Sequence, residues 1–166
     1  MTPDITERDV KKALGDFLSG LFSCEIVLGQ ENLVPMPQGS FILIDNVAKR
    51  QLSTNSHSYS DGSGMAVKTA TEYRLQIDFY GSDAGDMAQA FLMLFNDGYA
   101  YEAFPDGIKP LYADSPKEIP LITAEKNYLS RWTMDVFIQY NPTVTASVGF
   151  IGDIPVSVNL ANKVIL

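Results

Sequence analysis

The sequence predicts an α+β fold: an antiparallel or mixed β-sheet with two helices packed on one face. Three observations predict it. Two stretches repeat apolar residues at the helical period, several others alternate apolar and polar residues with a period of two, and the elements run in the order helix, strands, helix, strands. A chain of 166 residues, 46% of them hydrophobic, has enough apolar material for one core, so residues 1–166 are expected to form a single domain.

The segment 73–95 shows both periods side by side. Tyr73, Leu75, Ile77 and Phe79 alternate with Arg74, Gln76, Asp78 and Tyr80, the pattern of a strand with one face buried. Gly81 breaks it, Ser82 or Asp83 can cap a helix, and Ala84, Met87, Ala88, Phe91, Leu92 and Phe95 then fall on one helical face. Met93 lies off that stripe. Residues 5–21 form the other helix, with Val10, Ala13, Leu14, Phe17, Leu18 and Leu21 at the same offsets. Asp4 and Glu7 have the spacing of a capping box at its start.

Between the helices, Ser23–Leu28 is a short strand candidate, and residues 29–39, with Pro35, Pro37 and Gly39, read as a loop. Phe41–Val47 is an apolar, central strand. Residues 49–64 are almost entirely polar and read as a long mobile loop or hairpin tip. Met65–Tyr80 then reads as one strand, antiparallel to Phe41–Val47. After the second helix, residues 99–120 are turn-rich, with short strand pieces near Ile108–Ala113. Asn127–Tyr140 is a long strand: Trp132, Met134, Val136, Ile138 and Tyr140 share one face, and Arg131, Thr133, Asp135, Phe137 and Gln139 the other. Residues 144–150 and 156–160 are late strands.

The formal net charge is -8. Such a surface repels nucleic acid and is not drawn to anionic membranes, and no apolar run reaches the length of a membrane span. The first twelve residues carry charges of both signs and no signal-peptide core, so none is expected. The single cysteine, Cys24, excludes an intrachain disulfide and reads as a buried small hydrophobe.

Catalytic chemistry finds little support. The one histidine, His57, lies among Ser56, Ser58 and Ser60 in the polar segment, where a triad would lack rigid positioning. One His and one Cys do not make a zinc shell, and Asp61-Gly-Ser-Gly lacks the acidic spacing of a calcium loop. No phosphate loop or basic patch is present. No catalytic, metal or cofactor site is therefore expected. What remains is architectural: exposed strand edges that can pair between chains, and a polar sheet face bearing Arg74, Gln76, Asp78, Arg131, Asp135 and Gln139. These six are the candidate assembly surface, and Arg131→Glu is expected there to disturb association more than folding.

The run Tyr73-Arg-Leu-Gln-Ile-Asp-Phe-Tyr-Gly81, its following helix to Asn96 and Tyr99, and the run Asn127-Tyr-Leu-Ser-Arg-Trp-Thr-Met-Asp135 with Gln139-Tyr-Asn141 resemble the neck or tail terminator proteins of tailed bacteriophages. The first helix and Gln30–Pro37 share the likeness, which extends over roughly residues 5 to 141. The resemblance implies a structural virion protein with a tail-terminator-like fold. It implies a homo-oligomeric ring, commonly a hexamer, at the neck, which ends the tail tube, joins it to the head and lets DNA through its lumen. It also implies tail-tube and neck proteins as partners, assembly in the bacterial host cytoplasm, no enzymatic activity and no cofactor. Two alternatives stand beside it: a small-molecule-binding or hydrolase-like domain with residues 49–64 as a lid, and another joining or completion protein of a phage-like tail.

Overall fold

The computed structural model describes residues 1–29, 37–60, 64–119, 121–122 and 128–147. Helix α1 (Glu7–Leu21) begins where Thr6 can cap it. The Thr6 hydroxyl accepts from the Asp9 N–H, and the Asp9 carboxylate accepts from the Thr6 N–H at 2.8 Å, closing a capping box. The box is thus two residues later than the Asp4/Glu7 pair that the sequence suggests. Both of those side chains are engaged elsewhere: Asp4 accepts from the Thr143 N–H at 2.6 Å, and Glu7 takes an ion pair with Lys49 and a hydrogen bond from the Tyr73 hydroxyl. Val10, Ala13, Leu14, Phe17 and Leu18 are buried, as their spacing requires.

The main sheet is mixed. Its strands, numbered in chain order, are β1 (Glu25–Leu28), β2 (Phe41–Gln51), β5 (Thr71–Tyr80), β10 (Arg131–Tyr140) and β6 (Ile108–Ala113), in that spatial order, with the short β7 (Lys117–Glu118) also on β10. Only β1 and β2 run parallel; the other pairs are antiparallel. On β5, Tyr73, Leu75, Ile77 and Phe79 are buried on the helical side, and on β10 Met134, Val136, Ile138 and Tyr140 join them. Cys24 is half-buried against this core rather than inside it.

Helix α2 (Ala84–Phe95) lays Ala84, Met87, Ala88, Phe91 and Phe95 onto the core and leaves Met93 65% exposed. Asp83 sits at its N-cap without a capping bond, because its carboxylate accepts from the Ser40 hydroxyl instead. The preceding Gly81 has φ +121, and a Cβ there would lie 2.3 Å from Ser40 Oγ, so both backbone and space require glycine. Phe91 and Phe95 stack at 5.0 Å, and Phe17 meets Phe91 edge-on at 6.0 Å, tying α1 to α2. A third helix, α3 (Gly98–Ala103), lies within the stretch that reads as turns. Asp97 caps it by accepting from the Tyr99 N–H, and six residues are too few for a helical period to show in the sequence.

The largest departure from expectation is in residues 49–80. Strand β2 runs on to Gln51, β3 (Ser56–Ser60) lies inside the stretch expected as a loop or hairpin tip, and Met65–Tyr80 is two strands, β4 (Gly64–Lys68) and β5. With β11 (Thr143–Ser147) these form a second sheet in the order β11-β4-β3. That sheet extends the first. The β5–β10 pairing ends at Thr71↔Tyr140 and resumes three residues on in both strands as Lys68↔Thr143, so the register carries through. The connecting residues 61–63 and the expected strand at 156–160 lie outside the described residues, as does most of the 29–39 loop. The Asn127–Tyr140 strand is interrupted at Ser130, whose carbonyl accepts from the Gly81 N–H, leaving β9 (Tyr128–Leu129) to pair with β8 (Leu121–Ile122).

Phe91 is fully buried and touches three other aromatic rings. Phe91→Ala is expected to cost about 3–5 kcal/mol in denaturant unfolding, whereas Met93→Ala is expected to stay within about 0.5 kcal/mol.

Candidate functional site

The strand register sets out the sheet face opposite the helices row by row. On β5, Glu72, Arg74, Gln76, Asp78 and Tyr80 point to it; on β10, Arg131, Thr133, Asp135, Phe137 and Gln139 do. Strand β2 contributes Phe41, Leu43 and Asp45 opposite Tyr80, Asp78 and Gln76, then, past an irregularity between Asn46 and Ala48, Arg50 opposite Glu72. All six candidate residues therefore share one face.

They do not form one cluster. At one end, Arg131 Nη2 donates to Asp78 Oδ2 at 2.6 Å, and the Gln76 amide donates to the same carboxylate at 3.0 Å. The pair is diagonal, because Arg131 stands opposite Tyr80 and Asp78 opposite Thr133. Asp78 is only 1% exposed, and the Phe41 and Tyr80 rings stack at 4.4 Å beside it with the Arg131 guanidinium over Tyr80. At the other end, Arg74 makes the same diagonal bond to Asp135 in the open, its guanidinium over the Phe137 ring. Phe137 is the apolar exception on the polar side of its strand. It stacks on Tyr112 of β6 at 4.3 Å, which explains why an aromatic stands there. Gln139 lies apart from both pairs and donates to Asn141.

Asp45 is the residue of this face that alternation on β10 and β5 does not reveal. It is found by continuing the two-residue period of β2 from Leu43. Burial raises the Asp45 pKa, the Asp78 charge raises it further, and Arg131 partly offsets both. Its carboxylate fills the space where Gly29 would carry a Cβ, 1.6 Å from Oδ1, so a side chain at Gly29 would have to displace it. For Arg131, burial works against the charge, but the bond and charge of Asp78 outweigh it and hold the guanidinium above its ordinary pKa. Its Nε is buried with no hydrogen-bond partner among the described residues. On the helical side of the sheet, burial and then the Glu7 charge raise the Tyr73 pKa, while Lys49 lowers that of Glu7.

The arrangement offers paired charges and aromatic surface. His57 stands exposed on β3, opposite Val67, on a strand rather than on a lid. Among the described residues, no group of three or more His, Cys, Asp or Glu is placed to hold a metal, and no helix is long and apolar enough to cross a membrane.

A family model described as phage neck terminator protein matches residues 8–162. Among solved structures, the fold superposes on the PVC sheath/tube terminator of an extracellular contractile injection system in its extended state. The TM-score is 0.53 at 12% identity, over 97% of this chain and 66% of that one. At that identity the likeness concerns the fold. No curated protein matches.

The geometry reverses the expectation for Arg131. Arg131→Glu sets a third carboxylate beside Asp78 and Asp45, and is expected to cost about 3–5 kcal/mol of folding stability. Arg74→Glu, at the open pair, is expected to move the melting temperature by no more than about 2 °C. Asp45 binds its proton more tightly folded than unfolded, so its contribution falls as pH rises through the carboxylate range. Asp45→Asn is therefore expected to raise the melting temperature at pH 7, with the gain fading towards about pH 4.

Proposed function

We infer the role from one premise: the chain belongs to the phage neck terminator protein family, which matches residues 8–162. It is a structural, virion-associated protein that terminates a phage tail. Beyond that, we propose that its copies close into a ring, a hexamer, at the head-proximal end of the tail. The ring blocks further tube growth, presents a joining surface to neck proteins and surrounds the passing DNA. Assembly takes place in the bacterial host cytoplasm, and the protein acts without a cofactor and without catalysing a reaction.

The physical features support each part. A ring needs a heterologous interface, with two different surfaces of one subunit meeting those of its neighbours. The outer sheet face offers one: Arg74 is exposed on it, and Gln76, Arg131, Asp135 and Gln139 are half-buried. Asp78 is too deeply buried to touch a neighbour, so within this surface it holds Arg131 in place. A net charge of -8 lets DNA slide past without sticking. Against the second reading, a small-molecule-binding or hydrolase-like domain with residues 49–64 as a lid, stands the placing of residues 56–60 in strand β3.

Light scattering with negative-stain microscopy tests the ring. The expected result is closed particles whose mass is a whole multiple of the 18.3 kDa subunit. Tail tubes grown without the protein are expected to be overlong and uneven, and adding it is expected to stop their growth. Subunits that stay monomeric both alone and on tubes, with tube length unaffected, would overturn the proposal.

A further inference from the structure

The second sheet leaves the body as an amphipathic arm. Met65 and Val67 of β4 share one face with Ala146 and Val144 of β11, while Lys68, Thr143 and Thr145 share the other. Among the described residues, the hydrophobic core takes no side chain from β3, β4 or β11, and the four apolar residues are only half-buried. Core packing therefore does not fix where the arm points.

The strand joints hold it lightly. Between Thr71↔Tyr140 and Lys68↔Thr143, the central strands are bridged by a bond from the Thr69 N–H to the Pro142 carbonyl at 3.2 Å. Pro142 has no N–H to return. Beside it, the Leu52 N–H donates to the Ala70 carbonyl at 2.8 Å, and the Asn141 N–H to the Gly107 carbonyl at 3.3 Å. A junction with few backbone bonds and no core side chains is where a fold opens locally.

The start of α1 lies across this junction. The Asp4 N–H donates to the Thr143 carbonyl at 3.0 Å, and the Asp4 carboxylate accepts from the Thr143 N–H at 2.6 Å and the Ile5 N–H at 2.8 Å. Both backbone groups of Thr143 thus turn away from Lys68 and towards Asp4, which sits on β11 as the first rung of a further strand would. The bond from the Thr143 N–H holds the Asp4 carboxyl below its ordinary pKa. The Ile5 side chain presses on Gly107, which has φ +83 and whose Cβ, if present, would lie 2.7 Å from Ile5 Cδ1. Glu7 then reaches Lys49 on β2 and Tyr73 on β5. Residues 4–7 so grip β11, β2, β5 and the turn before β6, at the line where the core ends.

We propose that residues 4–7 are a clamp that sets the angle of the arm, with Asp4 as the part that opens. With Asp4 on Thr143, the arm holds one position relative to the body. With Asp4 released, the arm swings about residues 69–70 and 141–142 as a unit. The body keeps its fold meanwhile, because the capping box of Thr6 and Asp9 and the Glu7–Lys49 pair still hold α1. The device lies within one subunit and does not depend on the ring.

The test measures the distance between two spin labels in the full chain, one on the arm at Ser58→Cys and one on α1 at Ser19→Cys. Both positions are exposed, and Cys24→Ala removes the native thiol. Dilution with unlabelled chain leaves only distances within a subunit. A narrow distribution is expected for the parent chain, and Asp4→Ala is expected to make it at least about twice as wide. Asp4→Asn keeps the side-chain oxygen that Thr143 and Ile5 use, and is expected to restore the narrow distribution. Hydrogen exchange of β5 and β10 is expected to stay within about threefold in Asp4→Ala, because the body does not open with the arm. An unchanged width in Asp4→Ala would overturn the clamp, as would a wide distribution in the parent chain. Loss of protection in β5 and β10 with Asp4→Ala would also overturn it, since Asp4 would then be holding the whole fold rather than the arm.

Discussion

The fold depends on the pairing of β5 along both of its edges. Strand β2 holds it on one side and β10 on the other, over nearly its whole length. Parity along β5 then fixes both faces at once: Tyr73, Leu75, Ile77 and Phe79 meet the helices, while Arg74, Gln76 and Asp78 face away. A slip of one residue would drive Asp78 into the aromatic cluster around Phe91 and turn Phe79 outward. The Arg131–Asp78 pair adds a further constraint. A slip of two residues would preserve the faces but leave Asp78 buried without its guanidinium. A buried ion pair contributes modestly to stability, but losing one partner is expensive, and here that asymmetry works to specify register.

The same ladder explains how one sheet serves two roles. Beside α1 and α2 its apolar face is covered and becomes core. Beyond Thr71 and Tyr140 the strands continue in register, but the helices do not extend with them. The change comes at Thr69-Ala70 and Asn141-Pro142. Pro142 has no N–H to give, and its carbonyl accepts instead from the Thr69 N–H, so the strands stay joined through the transition. Asp4 then ties the root of the arm to the start of α1 through two bonds with Thr143. The arm is anchored where it leaves the body and amphipathic where it extends.

Much of this is legible in the sequence, and the parts that are not have physical reasons. The period of two in β5 and β10 and the helical stripes of α1 and α2 are local patterns, and the structure keeps them. Alternation gives side, however, and not depth: Asp78 and Arg74 look alike in the sequence, yet one is buried under the Phe41–Tyr80 stack and the other is open. Spacing alone misplaces the cap of α1, because Asp4/Glu7 and Thr6/Asp9 are equally far apart. The choice between them is made by Thr143, Lys49 and Tyr73, all distant in the chain. The arm is hidden because the serines of β3 read as loop. The apolar residues Met65, Val67 and Val144 stand on other strands, and no single segment shows the amphipathic surface.

Charge connects the core to the functional reading. Among the described residues, Lys49, Arg50, Arg74 and Arg131 each pair with a carboxylate on another element, and three of these pairs lie on the outer sheet face. Cations are thereby committed within the subunit, and the surplus carboxylates remain at the surface. Such a surface suits a conduit for DNA, because it offers the phosphate backbone nothing to hold. It equally opposes the approach of one copy to the next. In the proposed ring, contacts between copies are favoured where carboxylates are scarce. Strands β3, β4 and β11 carry no carboxylate and one lysine, Lys68. The acidity and the internal pairing of cations therefore fit one requirement of the proposed ring, that its subunits not hold the DNA passing through it.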